Sequence, residues 1–121
     1  IEAGLPGGER HWVATPGMNG LVKAWAEPLV EDNNVLLQTR VTHISADPFQ
    51  KNGWQLQTET EDGGQHIFAG FDKVILAIPP AQAAALLNAS GLSTLAAPLD
   101  SVRVDPCWTL MLAYPKPYSR A

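Results

Sequence analysis

The stretch 71-FDKVILAIPPAQAAALL-87 decides the fold. Val74 to Ile78 is a continuous apolar run of strand length. A strand that is apolar on both faces is covered on both, as in a parallel sheet. Pro79-Pro80 stops the run, because proline cannot supply a ladder N–H. Ala81 to Asn88 then predicts a short Ala/Leu helix. A buried strand feeding directly into a helix marks an α/β or mixed α+β chain.

Downstream, a second helical turn is predicted near Ser93 to Leu99, and Val102 to Tyr114 reads as a long strand. Val104, Trp108, Leu110, Leu112 and Tyr114 fall on one face of it, and Pro106 marks an edge position or a bend. Upstream, Trp54 to Thr60 alternates cleanly. Trp54, Leu56 and Thr58 lie on one face, and Gln55, Gln57 and Glu59 on the other, as in a half-buried antiparallel strand. Asp62-Gly63-Gly64 turns the chain into a further strand, His66 to Gly70. Asp47-Pro48 and Asn52-Gly53 bracket the preceding loop, and Asn-Gly is a hairpin signal. Val35 to Ile44 predicts one strand or two short ones, after a turn at Asn33-Asn34.

Nearer the start, Met18, Leu21, Val22, Trp25 and Leu29 recur at helical spacing. Thr15 as N-cap and Pro16 at the first helical position start that helix, and Pro28 ends it near Glu27. His11 to Ala14 reads as a short extended stretch, and Ile1 to Arg10 as a Gly/Pro-rich loop. The order is β-α-β-(β-β)-β-α-β, with no internal repeat and no low-complexity segment.

The chain has 121 residues, 45% hydrophobic and 17% charged, which places it among folded chains of one domain at most. A net charge of −4 argues against a nucleic-acid surface, which needs a basic face. No apolar run approaches the roughly 20 residues of a membrane span. The single Cys107 excludes an internal disulfide framework and fits a reducing, cytoplasmic setting. Ile1 in place of Met, and an apolar run close to Ala121, lead to the expectation of a piece cut from a longer protein.

The common catalytic signatures are missing: no G-x-S-x-G, H-E-x-x-H, C-x-x-C, G-x-x-x-x-G-K or G-x-G-x-x-G occurs. The run 4-GLPGG-8 does not follow an apolar strand and reads as a plain loop rather than a phosphate cradle. His43 lies inside a strand with no partner at catalytic spacing and reads as a structural or surface histidine. Cys107 sits in an apolar strand and reads as buried and inert. Glu61 and Asp62 read as a solvated turn. Trp12, Trp25, Trp54 and Trp108 read as core or interface residues, with a smaller chance that Trp12 and Trp108 line a pocket. No catalytic residue and no metal ligand is assigned.

Three stretches taken in order carry a resemblance: 12-WVATPGMNGLVKAWAE-27, then 35-VLLQTRVTHI-44 with 54-WQLQT-58, then 71-FDKVILAIPPAQAAALL-87. Together they resemble the middle of the flavin-dependent amine oxidase superfamily. The short meander and 101-SVRVDPCWTLMLAY-114 most resemble its renalase-like bacterial branch. Thr15-Pro16-Gly17 departs from the double glycine of the amine oxidases proper.

The resemblance implies a Rossmann-like FAD-binding fold with a β-meander, supplied in part by residues 12–99. Residues 1–11 and 100–121 would be edge strands of a substrate-domain sheet. It implies FAD as cofactor, with the backbone of Val41 against the adenine edge and the Ala77-Ile78-Pro79 turn beside the ADP half. The implied reaction is hydride removal from a small nitrogen-containing substrate, a dihydronicotinamide or an amine, with oxygen as acceptor. The implied partners are that small molecule and the remaining segments of the same protein. The isolated chain is expected to be inactive, not to retain FAD, and to self-associate. The competing reading is a non-catalytic binding module that keeps part of the flavoprotein fold.

Overall fold

The computed structural model describes residues 2–4, 10–113 and 115. The chain is a mixed α/β assembly whose residues fall into two compact units, residues 1–40 with 58–66, and residues 41–57 with 67–121.

The first unit opens on a strand pair, β1 (Glu2–Gly4) and β2 (Arg10–Trp12), antiparallel with Glu2 opposite Trp12 and Gly4 opposite Arg10. The expected loop over residues 1–10 therefore contains strand at both described ends. Residues 5–8 of the Gly-rich run lie outside the described residues.

Asn19, not Thr15, stands at the N-cap position of helix α1 (Gly20–Glu31), without a side-chain capping bond, and Pro16 follows a cis peptide bond. The later start has a steric reason. Gly20 packs against the backbone of Thr15, where a Cβ would come within 3.2 Å of the Thr15 carbonyl oxygen. The Gly20 N–H donates to Gly17 O at 2.9 Å, closing the turn before the helix. Nor does Pro28 end the helix, which runs on to Glu31. Proline forfeits its own N–H bond and crowds the carbonyl four residues back, a cost that this helix absorbs without ending. The stop comes from Asn33, at φ 56°, whose N–H donates to Val30 O at 3.0 Å while Asn34 N–H donates to Leu29 O at 2.8 Å. That is a Schellman closure with Asn in the left-handed position. The stripe Met18, Leu21, Val22, Trp25 and Leu29 is exposed along its length.

Three strands form a meander sheet in the order β3-β4-β5: β3 (Thr39–Ala46), β4 (Trp54–Thr60) and β5 (Gln65–Phe71). β4 has the limits its alternation predicts, with Thr58 buried and Gln57 and Glu59 exposed. β3 starts four residues later than expected, because Gln38 at φ 53° breaks extended backbone ahead of it. The β4–β5 turn closes through Gly63 at φ 85°, with Thr60 N–H on Gly64 O at 2.8 Å. The β3–β4 loop closes through Asn52 at φ 62° and Asp47 N–H on Gly53 O at 2.9 Å.

In the second unit, helix α2 (Pro80–Ala89) has Pro79 as N-cap. It ends in a second Schellman closure at Gly91, φ 73°, with Leu92 N–H on Leu87 O at 2.8 Å. A short α3 (Ser93–Ala96) and a 3-10 turn (Ala97–Ser101) follow and pack on α2. The buried apolar side chains described are Ile44, Ala83, Leu87 and Ala96.

Two expected strands do not form. Residues 74–78 are not strand, and only Val74 and Leu76 are partly covered, while Ile75 is 88% exposed. Residues 102–113 carry no strand either, and Tyr114 lies outside the described residues. Val104, Leu110 and Leu112 are exposed there, Trp108 is 100% exposed, and Cys107 is exposed rather than buried. The cause is common to both: neither segment is paired with a strand among the described residues. Apolar residues reach burial only when another segment supplies the second surface.

Candidate functional site

β3 stands at one edge of its sheet, so its backbone is paired with β4 on one side and open on the other. Helix α2 reaches that open edge at one place. Ile44 N–H donates to Ser90 Oγ at 2.8 Å, and Ser90 Oγ donates in turn to Leu86 O at 2.7 Å. The C-terminal end of α2 is thereby stapled to the middle of β3.

Val41 lies half-buried on β3, three positions before Ile44. Backbone direction reverses at each residue of a regular strand. Thr42 is therefore in phase with Ile44 and presents its N–H and C=O to the open edge, whereas Val41 is out of phase. Thr42 also ties β3 to β4, its Oγ1 donating to Gln57 O at 3.2 Å. Ala77, Ile78 and Pro79 are exposed and lead into the N-terminus of α2, opposite the end that Ser90 holds. Ten helical residues separate the two ends, a rise of about 15 Å.

The loop beside the site is held by Asp47, which is 8% exposed. Its Oδ1 accepts from Phe49 N–H at 2.8 Å and its Oδ2 from Gly70 N–H at 2.8 Å, joining the β3–β4 loop to β5. Gln50 Nε2 donates to Asp72 Oδ1 at 2.7 Å and adds a second tie. Neither Asp47 nor Ser90 stands in a motif; the signal for Asp47 was its place ahead of Pro48 at a strand end, where Asp accepts nearby amides.

The second unit also contains an apolar cavity of about 430 Å³, walled by Ile44, Trp54, Val74, Leu76, Leu87 and Leu92. Leu87 and Leu92 are the residues that the Schellman motif brings together. Of the four tryptophans, Trp54 lines this cavity, whereas Trp12 and Trp108 are exposed. The first unit has a polar cavity of about 460 Å³ between the start of β3 and the end of β4, lined by Gln38, Thr39, Arg40, Glu59, Thr60 and Glu61.

His43 is exposed, and so are Glu61 and Asp62. The Thr60 hydroxyl lies against the Asp62 carboxylate, and Gly64 N–H donates to Asp62 Oδ1 at 3.3 Å. These bonds favour the charged form, Thr60 contributing most, and hold the carboxyl below its ordinary value. A depressed carboxylate supports the turn above the unfolded value of 3.8 and loses that support as pH falls through the lower folded value. The Asp62 side-chain resonance should therefore titrate with a midpoint below that of a free aspartate, and Thr60→Val should raise it; equal midpoints would remove the assignment.

Among the described residues, no group of His, Cys, Asp and Glu is arranged to hold a metal ion, and no helix is long and apolar enough to cross a membrane. No solved structure matches the chain. A family model described as flavin containing amine oxidoreductase matches residues 4–120, nearly the entire sequence. With a mixed α/β fold, a meander sheet and a match of that extent, the chain belongs to the flavin containing amine oxidoreductases.

Proposed function

We propose that this chain is part of an FAD-dependent, renalase-like oxidoreductase. It removes hydride from a small nitrogen-containing substrate, a dihydronicotinamide or an amine, with oxygen as acceptor. The observation that carries the reading is the family match over residues 4–120. In the same reading, residues 12–99 belong to an FAD-binding domain and residues 1–11 and 100–121 to a substrate domain. The remaining segments of the protein are partners of this chain, which alone retains no FAD.

The chemistry a bound flavin supplies is hydride acceptance; the protein contributes binding and orientation. The open edge of β3 fits an adenine, because adjacent backbone donors and acceptors match its edge. Val41 is the position the resemblance carries, and Thr42 is the one in phase with the outward amide of Ile44. Ala77, exposed and without a bulky side chain, leaves room for the ADP half beside the start of α2. His43 and Cys107 receive no catalytic role.

The full-length protein tests the reading. Purified, it should show flavin absorption, release FAD rather than FMN on denaturation, and consume oxygen with a dihydronicotinamide or an amine. A colourless preparation that also fails to take up added FAD would overturn it. Amide-resolved hydrogen exchange locates the adenine. Of Val41 and Thr42, one amide should gain about tenfold protection or more when the stripped protein is reloaded with FAD. If both amides exchange alike with and without FAD, the adenine does not lie on β3.

A further inference from the structure

We infer that Ser90 is a positioning residue for the cofactor, an inference that rests on the FAD reading above: its hydroxyl occupies the Ile44 amide on the open edge of β3 and holds α2 there, so that the adenine has one register on the strand. Residues two apart on a strand present equivalent N–H and C=O groups to the same side. A bare β3 edge would therefore offer a planar ligand the same foothold at Thr42 and at Ile44. The Ile44 foothold is taken, because its N–H donates to Ser90 Oγ at 2.8 Å. Thr42, about 7 Å back along the strand, keeps both of its outward groups for the adenine.

Ser90 is held in place to make this contact. A serine hydroxyl has one proton and two lone pairs. The proton goes to Leu86 O at 2.7 Å, which fixes the rotor and leaves the lone pairs for Ile44. The backbone is locked as well. Ser90 N–H donates to Leu86 O at 3.0 Å, and the closure at Gly91, with Leu92 N–H on Leu87 O at 2.8 Å, follows directly. β3 is fixed from its other side, where Thr42 Oγ1 donates to Gln57 O at 3.2 Å and Gln55 Nε2 donates to Ser45 Oγ at 3.0 Å. Donor and acceptor, 46 positions apart, are thus both set by bonds within the second unit. The other end of α2 follows the Ala77 to Pro79 turn, beside which the same reading puts the ADP half. One hydroxyl therefore joins the two segments proposed to meet the cofactor, and segments already joined bind without first having to be ordered.

The test uses the full-length protein stripped of flavin, at a temperature where circular dichroism shows each variant folded, so that global stability does not enter the affinity. Ser90→Ala takes the acceptor from the amide of a residue that is only 3% exposed. Without FAD, exchange of the Ile44 amide should quicken about tenfold or more, as for one lost bond to a buried donor. FAD, titrated by flavin fluorescence, should bind about tenfold more weakly, because affinity falls with the fraction of molecules in which helix and strand are joined. Ser90→Thr keeps the hydroxyl and should stay within about threefold of wild type. Ser90→Cys, whose thiol is a weak acceptor, should fall between them and replaces the alanine variant if that variant does not fold. An Ile44 amide equally protected with and without the hydroxyl overturns the proposal. So does an opened amide with unchanged FAD affinity, or a threonine variant as weak as the alanine one; these outcomes leave the cofactor reading standing. A wild-type protein that takes up no FAD overturns both.

Discussion

Asp47→Ala should lower the stability of the second unit by about 3 kcal/mol, from two lost bonds to a charged acceptor at about 1.5–3 kcal/mol each, with partial recovery by water. The carboxylate accepts one amide from its own loop and one from β5, 23 residues on, so the loop and its connection to β5 each lose one tie, with Gln50–Asp72 remaining. Gly70, at φ 85°, is held in a conformation in which its amide points to Asp47 and no neighbouring strand group is shown to replace it. In urea unfolding the variant should show a clearly lower midpoint with an unchanged slope. Asp47→Asn keeps one acceptor oxygen and offers an NH₂ where the second was, so it should fall about midway. An alanine variant that unfolds with the wild type would show that the two amides are satisfied without Asp47.

Ile44→Ala should cost about 2.5 kcal/mol, and Ile44→Val about 1 kcal/mol. At 3% exposure, Ile44 is the most buried large apolar side chain among the described residues. The estimate sits in the lower half of the range for such deletions because Ile44 borders an open cavity. The methyl groups removed enlarge a space already present and create no sealed void. The bond to Ser90 Oγ is donated by the Ile44 backbone N–H and survives the substitution. The loss therefore reports packing alone. It is read as a fall in unfolding free energy with near-ultraviolet dichroism of Trp54 as a local probe. A change below 1 kcal/mol in Ile44→Ala would show that this side chain carries no core.

Local rules explain what was legible. β4 was readable to the residue because its alternation is bounded by Asn52-Gly53 and by Asp62-Gly63-Gly64, turns that need no distant partner. The prediction of a helix after Pro79-Pro80 rested on the same kind of evidence, and α2 covers the predicted residues. Helix α1 shows the limit of the approach. Pro28 is a strong local stop signal, yet the helix ends at the Schellman closure of Asn33, where the Asn33 and Asn34 amides satisfy the carbonyls of Val30 and Leu29. The site was less legible than the fold. Val41 and Ala77 to Pro79 came from a resemblance, and Asp47, Ser90 and Trp54 carry no motif. The ties of Asp47 to Gly70 and of Ser90 to Ile44 cross 23 and 46 positions.

By itself, the sequence determined the meander, the turns that register it, the Ala/Leu helix and the family. Each of these is set by residues close together in the chain or by the order of short motifs. Only the tertiary structure decided which apolar segments find cover. Val74 to Ile78 and Val102 to Tyr114 have the composition of buried strands, and composition states a preference for burial. Pairing and burial need a second segment at hydrogen-bonding distance, and none of the described strands takes that place for either. The same physics left Cys107 and Trp108 exposed and put Ser90 on the open edge of β3, where one hydroxyl joins helix to sheet.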